Sequence, residues 1–436
     1  MLSSLRKIVS DTNPLRLLYH KLKAVVAATV YGFPSRKMTV IGVTGTNGKT
    51  TTVNLITKVL ETAGYKVGMT STINFQVGTR RWTNQTKQTT QSAFTLQKLL
   101  RDMVSEGCKY AVVEVSSHAM TQSRVWGVNI DCAVFTNITE DHLDYHGGFA
   151  SYLHAKGSLF KKVSKSRKKL NVPKVMVLNQ DDENFSYFDQ FLADRKITYG
   201  LKNGTVHAME VKLKAQGSEF TIAVPNNAIP ISLQLPGDFN VQNALCAAAV
   251  CMTYGVTLED IKRGLDEAQT IPGRYDLVDE GQGYAIVVDY AHAHDSLEKL
   301  LSLYRDLTPH GKLFAVFGAT GGGRDVGKRP KMGEIADKYA DYIILTDDDP
   351  YDDDELEIID FVAKGIKREE GEGFWKIPDR RSAIKHALSL AKEGDCVVVA
   401  GKGAEEVMKV RGKTIPWNDK QVISEILKRT IKLEIE

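Results

Sequence analysis

The stretch VIGVTGTNGKTTTVNLI, Val40 to Ile56, limits the possible folds more than any other part of the chain. An apolar strand-like run enters a glycine-rich turn, and a helix-compatible run beginning Lys-Thr-Thr-Thr follows at once. A strand feeding a helix through such a turn is a unit of a parallel α/β sheet and the context of a phosphate-binding loop. Its core is Gly45-Thr46-Asn47-Gly48-Lys49-Thr50, with Thr51 next. The general pattern G-x-x-x-x-G-K-[ST] is not strictly met, because Val43 holds the first glycine position. The chemistry is nonetheless in place. Small residues let backbone N–H groups face phosphate, the helix N-terminus favours an anion, and Lys49 adds charge. The Thr50 hydroxyl can reach Mg²⁺. A plain glycine turn would explain Gly45 and Gly48 but not the lysine and threonines behind them.

The same alternation continues through the chain. MTVIGVTG, YAVVEVSS, CAVFTNI and KVMVLNQ read as buried parallel strands separated by longer segments. Between Tyr199 and Leu235 short strands with Gly and Asn turns suggest a small antiparallel insert, followed by an Ala-rich helix ending near Gly255. Pro and Gly in QTIPGRYD mark a boundary. Beyond it YAIVVDYA, KLFAVFGA, YIILTDD and DCVVVAG restart the pattern. The expected organisation is a helical extension over 1–37, an α/β central domain over 38–271, and a Rossmann-like α/β domain over 272–436.

Composition narrows the class. A formal charge of +4 over 436 residues does not point to nucleic acid. Five cysteines without a C-x-x-C pair argue against a disulfide framework or zinc ribbon and for a reducing cytoplasm. No apolar run approaches the ~20 residues that span a bilayer. The N-terminal segment is basic and amphipathic, with Leu15, Leu18, Leu22, Val25 and Val26 near helical spacing. A helix packed on the next domain is the favoured reading. A membrane-surface contact is the second, weakened by Asp11 and Pro14.

Two further stretches carry chemistry. In VVEVSSH, Glu114 ends an apolar strand, where a carboxylate needs a partner or a metal. With a phosphate loop nearby, Mg²⁺ is the natural ligand. In FTNITEDHLDYHGGFASYLHAKGSLF, Asp141, His142, Asp144 and His146 crowd the segment after another strand. One histidine helping to hold Mg²⁺ suits that setting. Lys156, alone, would be a surface helix lysine.

Taken in order, GVTGTNGKTTT, VVEVSSH, FTNITEDHLDYH, HAKGSLF, LPGDFNVQNALCAA, IPGRYD, VDYAHAHDSLEKLL, FGATGGGRDVGKRPKMGEIA, LTDDDP and VVVAGKGAEEV closely resemble the Mur ligases, above all their MurE type. The resemblance implies an ATP-dependent amide-forming ligase of peptidoglycan precursor synthesis. A carboxylate of a muramoyl-peptide-type acceptor takes the γ-phosphoryl group as an acyl phosphate, and an amino acid's amine then displaces phosphate. Lys49 and Mg²⁺ would neutralise the transferring charge. The resemblance assigns one Mg²⁺ to Thr50 and Glu114, and a second to Glu114, His142 and Lys156, the last as a CO₂-derived carbamate. It places Asn240 and Asn243 beside adenine, Arg274 on the phosphates and Asp289 near the sugar. Thr89, Thr90, Ser116, Gln122 and Arg124 match acceptor contacts.

The chain also departs from that pattern. Only Met1–Lys37 precede the first strand, leaving no room for the N-terminal domain that holds uridine nucleotide in MurE-type enzymes, so the expected acceptor is open between UDP-linked and UDP-free forms. Diaminopimelate-adding relatives read DNPR where this chain has Asp349-Pro350-Tyr351, which removes the bidentate partner of a second carboxylate. Asp352, Asp353 and Asp354 add negative charge, which points to lysine or ornithine; a solvated loop or helix start is the alternative. Ala404 stands where a histidine is usual, while Glu405 is retained; Gly401, Arg381 and the GGGRD loop complete the expected amino-acid pocket. The competing readings are a related ligase of the folylpolyglutamate or cyanophycin synthetase kind, and a nucleotide-binding partner subunit.

Overall fold

The computed structural model describes residues 13–86, 88–141, 143–214, 216–323 and 326–435. They form two compact units, Met1–Leu213 with Gly217–Ala268, and Lys214–Gln216 with Gln269–Glu436.

The first unit is built on an eleven-stranded sheet. In chain order its strands are β1 (Thr39–Thr44), β2 (Val67–Thr70), β3 (Asn74–Val77), β4 (Arg80–Thr83), β5 (Tyr110–Glu114), β6 (Cys132–Phe135), β7 (Val175–Asn179), β8 (Arg195–Gly200), β9 (Val206–Lys214), β10 (Gly217–Val224) and β11 (Asn227–Leu233). They lie in the order β11-β10-β9-β8-β7-β6-β1-β5-β2-β3-β4. From β8 to β2 every pairing is parallel. Parallel strands must be covered on both faces, and the sequence provides for this by burying alternate residues in different cores. Ile41, Val43 and Val112 join Val53, Ile56 and the Ala244–Cys251 helix face on one side. Val40, Ala111 and Val113 join Leu96, Leu100, Leu159 and Phe160 on the other. The segment read as a small antiparallel insert joins this sheet: β9 pairs parallel with β8, and the antiparallel β10–β11 hairpin forms the edge. The Ala-rich helix runs Asp238–Thr253, and Gly255 takes a positive φ just after it.

The N-terminal helix spans Pro14–Val30, with Asn13 capping it through Leu15 N–H at 2.9 Å. Pro14 occupies the first turn, where its missing N–H costs nothing, so it starts the helix rather than interrupting it. The docked face is Ala24, Ala27 and Ala28. Leu15, Leu18, Leu22 and Val26 are exposed, contrary to the packing their spacing suggested.

The second unit holds a six-stranded sheet of β12 (Asp276–Leu277), β13 (Ala285–Asp289), β14 (Leu313–Phe317), β15 (Tyr342–Leu345), β16 (Phe374–Lys376) and β17 (Cys396–Ala400), ordered β12-β13-β17-β14-β15-β16. Only the β12–β13 pairing is antiparallel. A hairpin, β18 (Val407–Val410) with β19 (Lys413–Pro416), follows. Among the described residues no helix is long and apolar enough to cross a membrane.

Candidate active site

In the first unit the glycine loop leaves the C-terminal end of β1 and enters the helix Lys49–Thr62. A side chain at Gly45 would put its Cβ 1.8 Å from Thr136 Oγ1, and one at Gly48, which has φ +78°, would fall 2.3 Å from Asn243 Oδ1. Both glycines are therefore required by close approach. The loop is held from below: Thr46 N–H donates to Asn137 O at 2.8 Å and Asn47 N–H to Asn137 Oδ1 at 2.9 Å. Lys49 folds over the loop, donating to Thr46 O at 2.7 Å. Asn47 Nδ2 is buried with no partner in the protein, a donor set in the loop where phosphate oxygens would accept. Thr51 is buried on the same helix.

Glu114 ends β5 beside this loop and is 1% exposed. Its carboxylate accepts from Thr50 Oγ1 at 3.1 and 3.0 Å, from Thr72 N–H at 2.7 Å and from Thr72 Oγ1 at 3.0 Å. This pairs a buried anion with a hydroxyl of the phosphate loop, and oxygen donors of this kind suit Mg²⁺. His142 lies outside the described residues, and among those described no group of three or more His, Cys, Asp or Glu is arranged to hold a metal ion.

Lys156 turns inward from the helix Phe149–Lys165 and is 1% exposed. Its amine donates to Gly45 O at 2.6 Å and lies 4.3 Å from the Tyr152 ring centroid. Burial, reinforced by the Lys49 cation and opposed by Asp141, pushes that amine well below the usual lysine range. A surface lysine it is not. The helix Asp238–Thr253 brings Asn240 and Asn243 to the other flank, where Asn243 Oδ1 accepts from Thr52 Oγ1 at 3.2 Å and Asn243 Nδ2 donates to Asn240 Oδ1 at 3.2 Å.

The residues matched to acceptor contacts form one hydrogen-bonded chain ending at Glu114. Thr72 Oγ1 donates to Thr89 Oγ1 at 3.2 Å, and Thr90 Oγ1 to Glu114 O at 2.8 Å. Ser116 N–H returns to Thr90 Oγ1 at 2.9 Å. Arg124 grips Gln122 Oε1 through Nε (2.9 Å) and Nη2 (2.6 Å) and Thr90 O through Nη1 (2.7 Å), while Gln122 donates to Tyr145 OH at 3.0 Å.

In the second unit Arg274 lies over the Tyr290 ring at 4.8 Å, and its Nε is buried without a partner. Asp289 ends β13 and accepts from Tyr275 N–H and Ala291 N–H, each at 2.8 Å. Burial raises its carboxyl, against the pull of Arg274 and these N–H groups.

Two of the residues expected at an amino-acid pocket, Asp349 and Glu405, meet at a lysine that sequence reasoning passed over. Lys402 is fully buried between Asp349 (2.9 Å), Glu405 (2.5 Å) and Asp348 (3.8 Å). Burial opposes its charge, but the three carboxylates outweigh that and hold the ammonium well above its ordinary range. Three carboxylates thus face one ammonium. Gly401, at φ +112°, passes Asp348 so closely that a Cβ would lie 3.2 Å from its Oδ2. Tyr351 holds a left-handed φ of +56° and packs beside Gly322. Asp353 and Asp354 are engaged locally: one accepts from Gly322 N–H at 2.8 Å, the other caps the helix Glu355–Ala363. Asp352 is exposed. Arg381 pairs with Glu425 on an exposed face, whereas its neighbour Arg380 turns inward, fully buried on Asp419. The helix-start alternative thus describes Asp354, and the negative charge resides in Asp348, Asp349 and Glu405. Only the Lys-Gly after Gly401 signalled Lys402 in the sequence. Thr72 and Tyr152 carried no motif at all.

A parallel sheet, a glycine loop with Lys49 and Thr50 at a helix start, and a buried acid at the adjoining strand end define a P-loop nucleotide-binding enzyme. The Mur ligase middle domain matches residues 43–251, and the Mur ligase, glutamate ligase domain matches residues 273–403. The chain belongs to the Mur ligase family, and is an ATP-dependent ligase of the kind that uses Mg²⁺. It is 40% identical over 400 residues to the UDP-N-acetylmuramoyl-L-alanyl-D-glutamate–2,6-diaminopimelate ligase of Geobacillus kaustophilus, covering 92% of this chain and 81% of that protein. The ligase of the same name from Clostridium tetani is 40% identical over 410 residues, covering 93% and 81%. A solved structure of such a ligase superposes with a TM-score of 0.63 at 30% identity, covering 90% of this chain and 79% of the other. The Mycobacterium tuberculosis folylpolyglutamate synthase complexed with ADP shares the fold, with a TM-score of 0.70 at 17% identity and 94% of each chain covered.

Proposed function

We propose that this ligase works in the cytoplasm, joining the amine of a diamino acid to the carboxylate of a muramoyl-peptide-type acceptor in peptidoglycan precursor synthesis. The observation that carries the reading is Lys156: an amine buried against the carbonyl of the phosphate loop and biased toward its neutral form. A neutral amine can take up CO₂ as a carbamate with loss of a proton, turning a cation that would repel Mg²⁺ into an oxygen donor. In this reading Thr50 and Glu114 would hold one ion, and Glu114, His142 and carbamylated Lys156 would hold a second. The ions would supply charge neutralisation for phosphoryl transfer.

The protein's own groups do the rest. Gly45 to Thr51 cradle phosphates, with Asn47 Nδ2 as an additional donor. Asn240 and Asn243 face adenine, Asp289 the sugar and Arg274 the phosphates. Thr89, Thr90, Ser116, Gln122 and Arg124 orient the acceptor, whose carboxylate takes the phosphoryl group. Asp349, Glu405 and Gly401, with Tyr351 and Asp352, would receive the amino acid. The carboxylates gathered around Lys402 favour a side-chain amine, and Tyr351 in place of arginine gives no bidentate partner for a second carboxylate. Lysine or ornithine therefore fits this pocket better than the diaminopimelate named for the relatives. The test is phosphate release from ATP with each substrate alone and both together. Release only with both supports the reading; release with neither pair, at any acceptor, overturns it in favour of a nucleotide-binding subunit.

A further inference from the structure

The helix Pro14–Val30 presents its large side chains to solvent. It rests on the protein through Ala24, Ala27 and Ala28, against Ala93, Phe94 and Trp126. The opposite face carries Leu15 (77% exposed), Leu18 (52%), Tyr19 (61%), Leu22 (57%), Val26 (52%) and Val30 (65%). Their three- and four-residue spacing makes one continuous apolar stripe. At 100° per residue Lys21 lies on one border of the stripe and Arg16 and Lys23 on the other. No Asp or Glu occurs between Asp11 and Glu61, and Arg36 and Lys37 are exposed just beyond the helix.

We infer that this stripe is a docking face for the surface of an anionic lipid bilayer, with the helix lying in the interface. An apolar face bordered on both sides by cations, about 25 Å long, is the pattern of an interfacial helix. It is too short and too charged to span. A second copy of the same helix is a poorer occupant. Two-fold pairing would oppose Lys21, Lys23 and Arg16 to one another, with no acid on the helix to compensate. The alanine face fixes the helix to the start of Ala93–Ser105, the helix that leaves the Thr89–Thr90 loop. Docking would thus hold the first unit at a membrane without altering its fold.

The test is flotation of the full chain with vesicles of phosphatidylcholine alone and of equal parts phosphatidylcholine and phosphatidylglycerol. Binding should require phosphatidylglycerol and weaken with added salt. Lys21→Gln with Lys23→Gln should weaken it roughly 25-fold, about fivefold for each cation removed. Leu18→Glu with Leu22→Glu should abolish it, with ligase turnover and melting temperature unchanged in both variants because the positions are exposed. Three results overturn the inference: no binding to either vesicle, binding indifferent to Leu18→Glu with Leu22→Glu, or a dimer in sedimentation that this double variant dissociates without any vesicle binding.

Discussion

Replacing Lys402 by methionine keeps the side chain's length and apolar volume but removes its charge. In the structure that ammonium is fully buried, 2.9 Å from Asp349 and 2.5 Å from Glu405. Breaking a buried pair by deleting one partner typically costs ~3–5 kcal/mol, because the remaining charges stay buried and uncompensated. With about 2–4 °C of melting temperature per kcal/mol in a unit of this size, the second unit should melt roughly 6–20 °C lower. The deficit has a defined pH dependence. The folded-state pKa of Lys402 is raised, so its stabilisation is complete below the ordinary lysine value and intact at neutral pH. Without the ammonium the carboxylates around it lose that compensation, so acidification, which neutralises carboxylates, should narrow the deficit. Differential scanning fluorimetry from about pH 5 to about pH 8 measures both effects. Adding Asp349→Asn and Glu405→Gln should restore most of the lost stability. A variant that melts within about 2 °C of the parent at neutral pH, or whose deficit does not change with pH, would show that the cluster contributes nothing net and refute the electrostatic argument.

The remaining predictions concern the site. Lys156→Ala should lower turnover by roughly 100-fold or more while ATP still binds, with partial recovery on adding short carboxylates; full turnover in that variant removes the lysine from metal binding. Gly48→Ala should weaken ATP binding, since its Cβ would fall 2.3 Å from Asn243 Oδ1, and calorimetry showing parental affinity would contradict the close-packed loop. Glu405→Gln should raise KM for lysine more than Asp352→Asn, whose carboxylate is exposed and screened by salt; the reverse order would return selection to the aspartate run. Burial, with Glu355 adding to it, lifts Asp347 to about 7. Its ionisation therefore weighs on the folded state increasingly as pH rises toward that value, and Asp347→Asn should raise the melting temperature at about pH 8 but not at about pH 4. Equal shifts at both would falsify that assignment.

What the sequence showed followed from how strongly each feature is written locally. Parallel strands buried on both faces read as unbroken apolar runs, so β1, β5, β6, β7, β13, β14, β15 and β17 stood out, and the loop between Val43 and Lys49 announced its own chemistry. The edge strands did not: β12 has two residues and β16 three, too short for any period to register. The Pro14–Val30 helix misled because alanine carries no weight in an apolar pattern, although close docking needs small residues and leaves the leucines outside. The acidic run was hard to place for a related reason. Asp352, Asp353 and Asp354 look like a site when counted along the chain, yet Asp353 accepts from the distant Gly322 N–H and Asp354 caps its own helix, while Asp349 and Glu405, from segments more than fifty positions apart, meet at Lys402. Arg381 and Arg380 differ by one helical position, and only the fold decides which faces inward.

The proposed reaction uses ATP to couple a diamino acid to a muramoyl-peptide-type acceptor. Mass detection of products, with UDP-linked and UDP-free muramoyl peptides crossed against lysine, ornithine and diaminopimelate, tests it most directly. The expected result is an ATP-dependent product heavier than the acceptor by one amino acid less water, formed with lysine or ornithine in preference to diaminopimelate. A preference for diaminopimelate would contradict the reading of the pocket, and the absence of any product with every pair would contradict the ligase assignment itself.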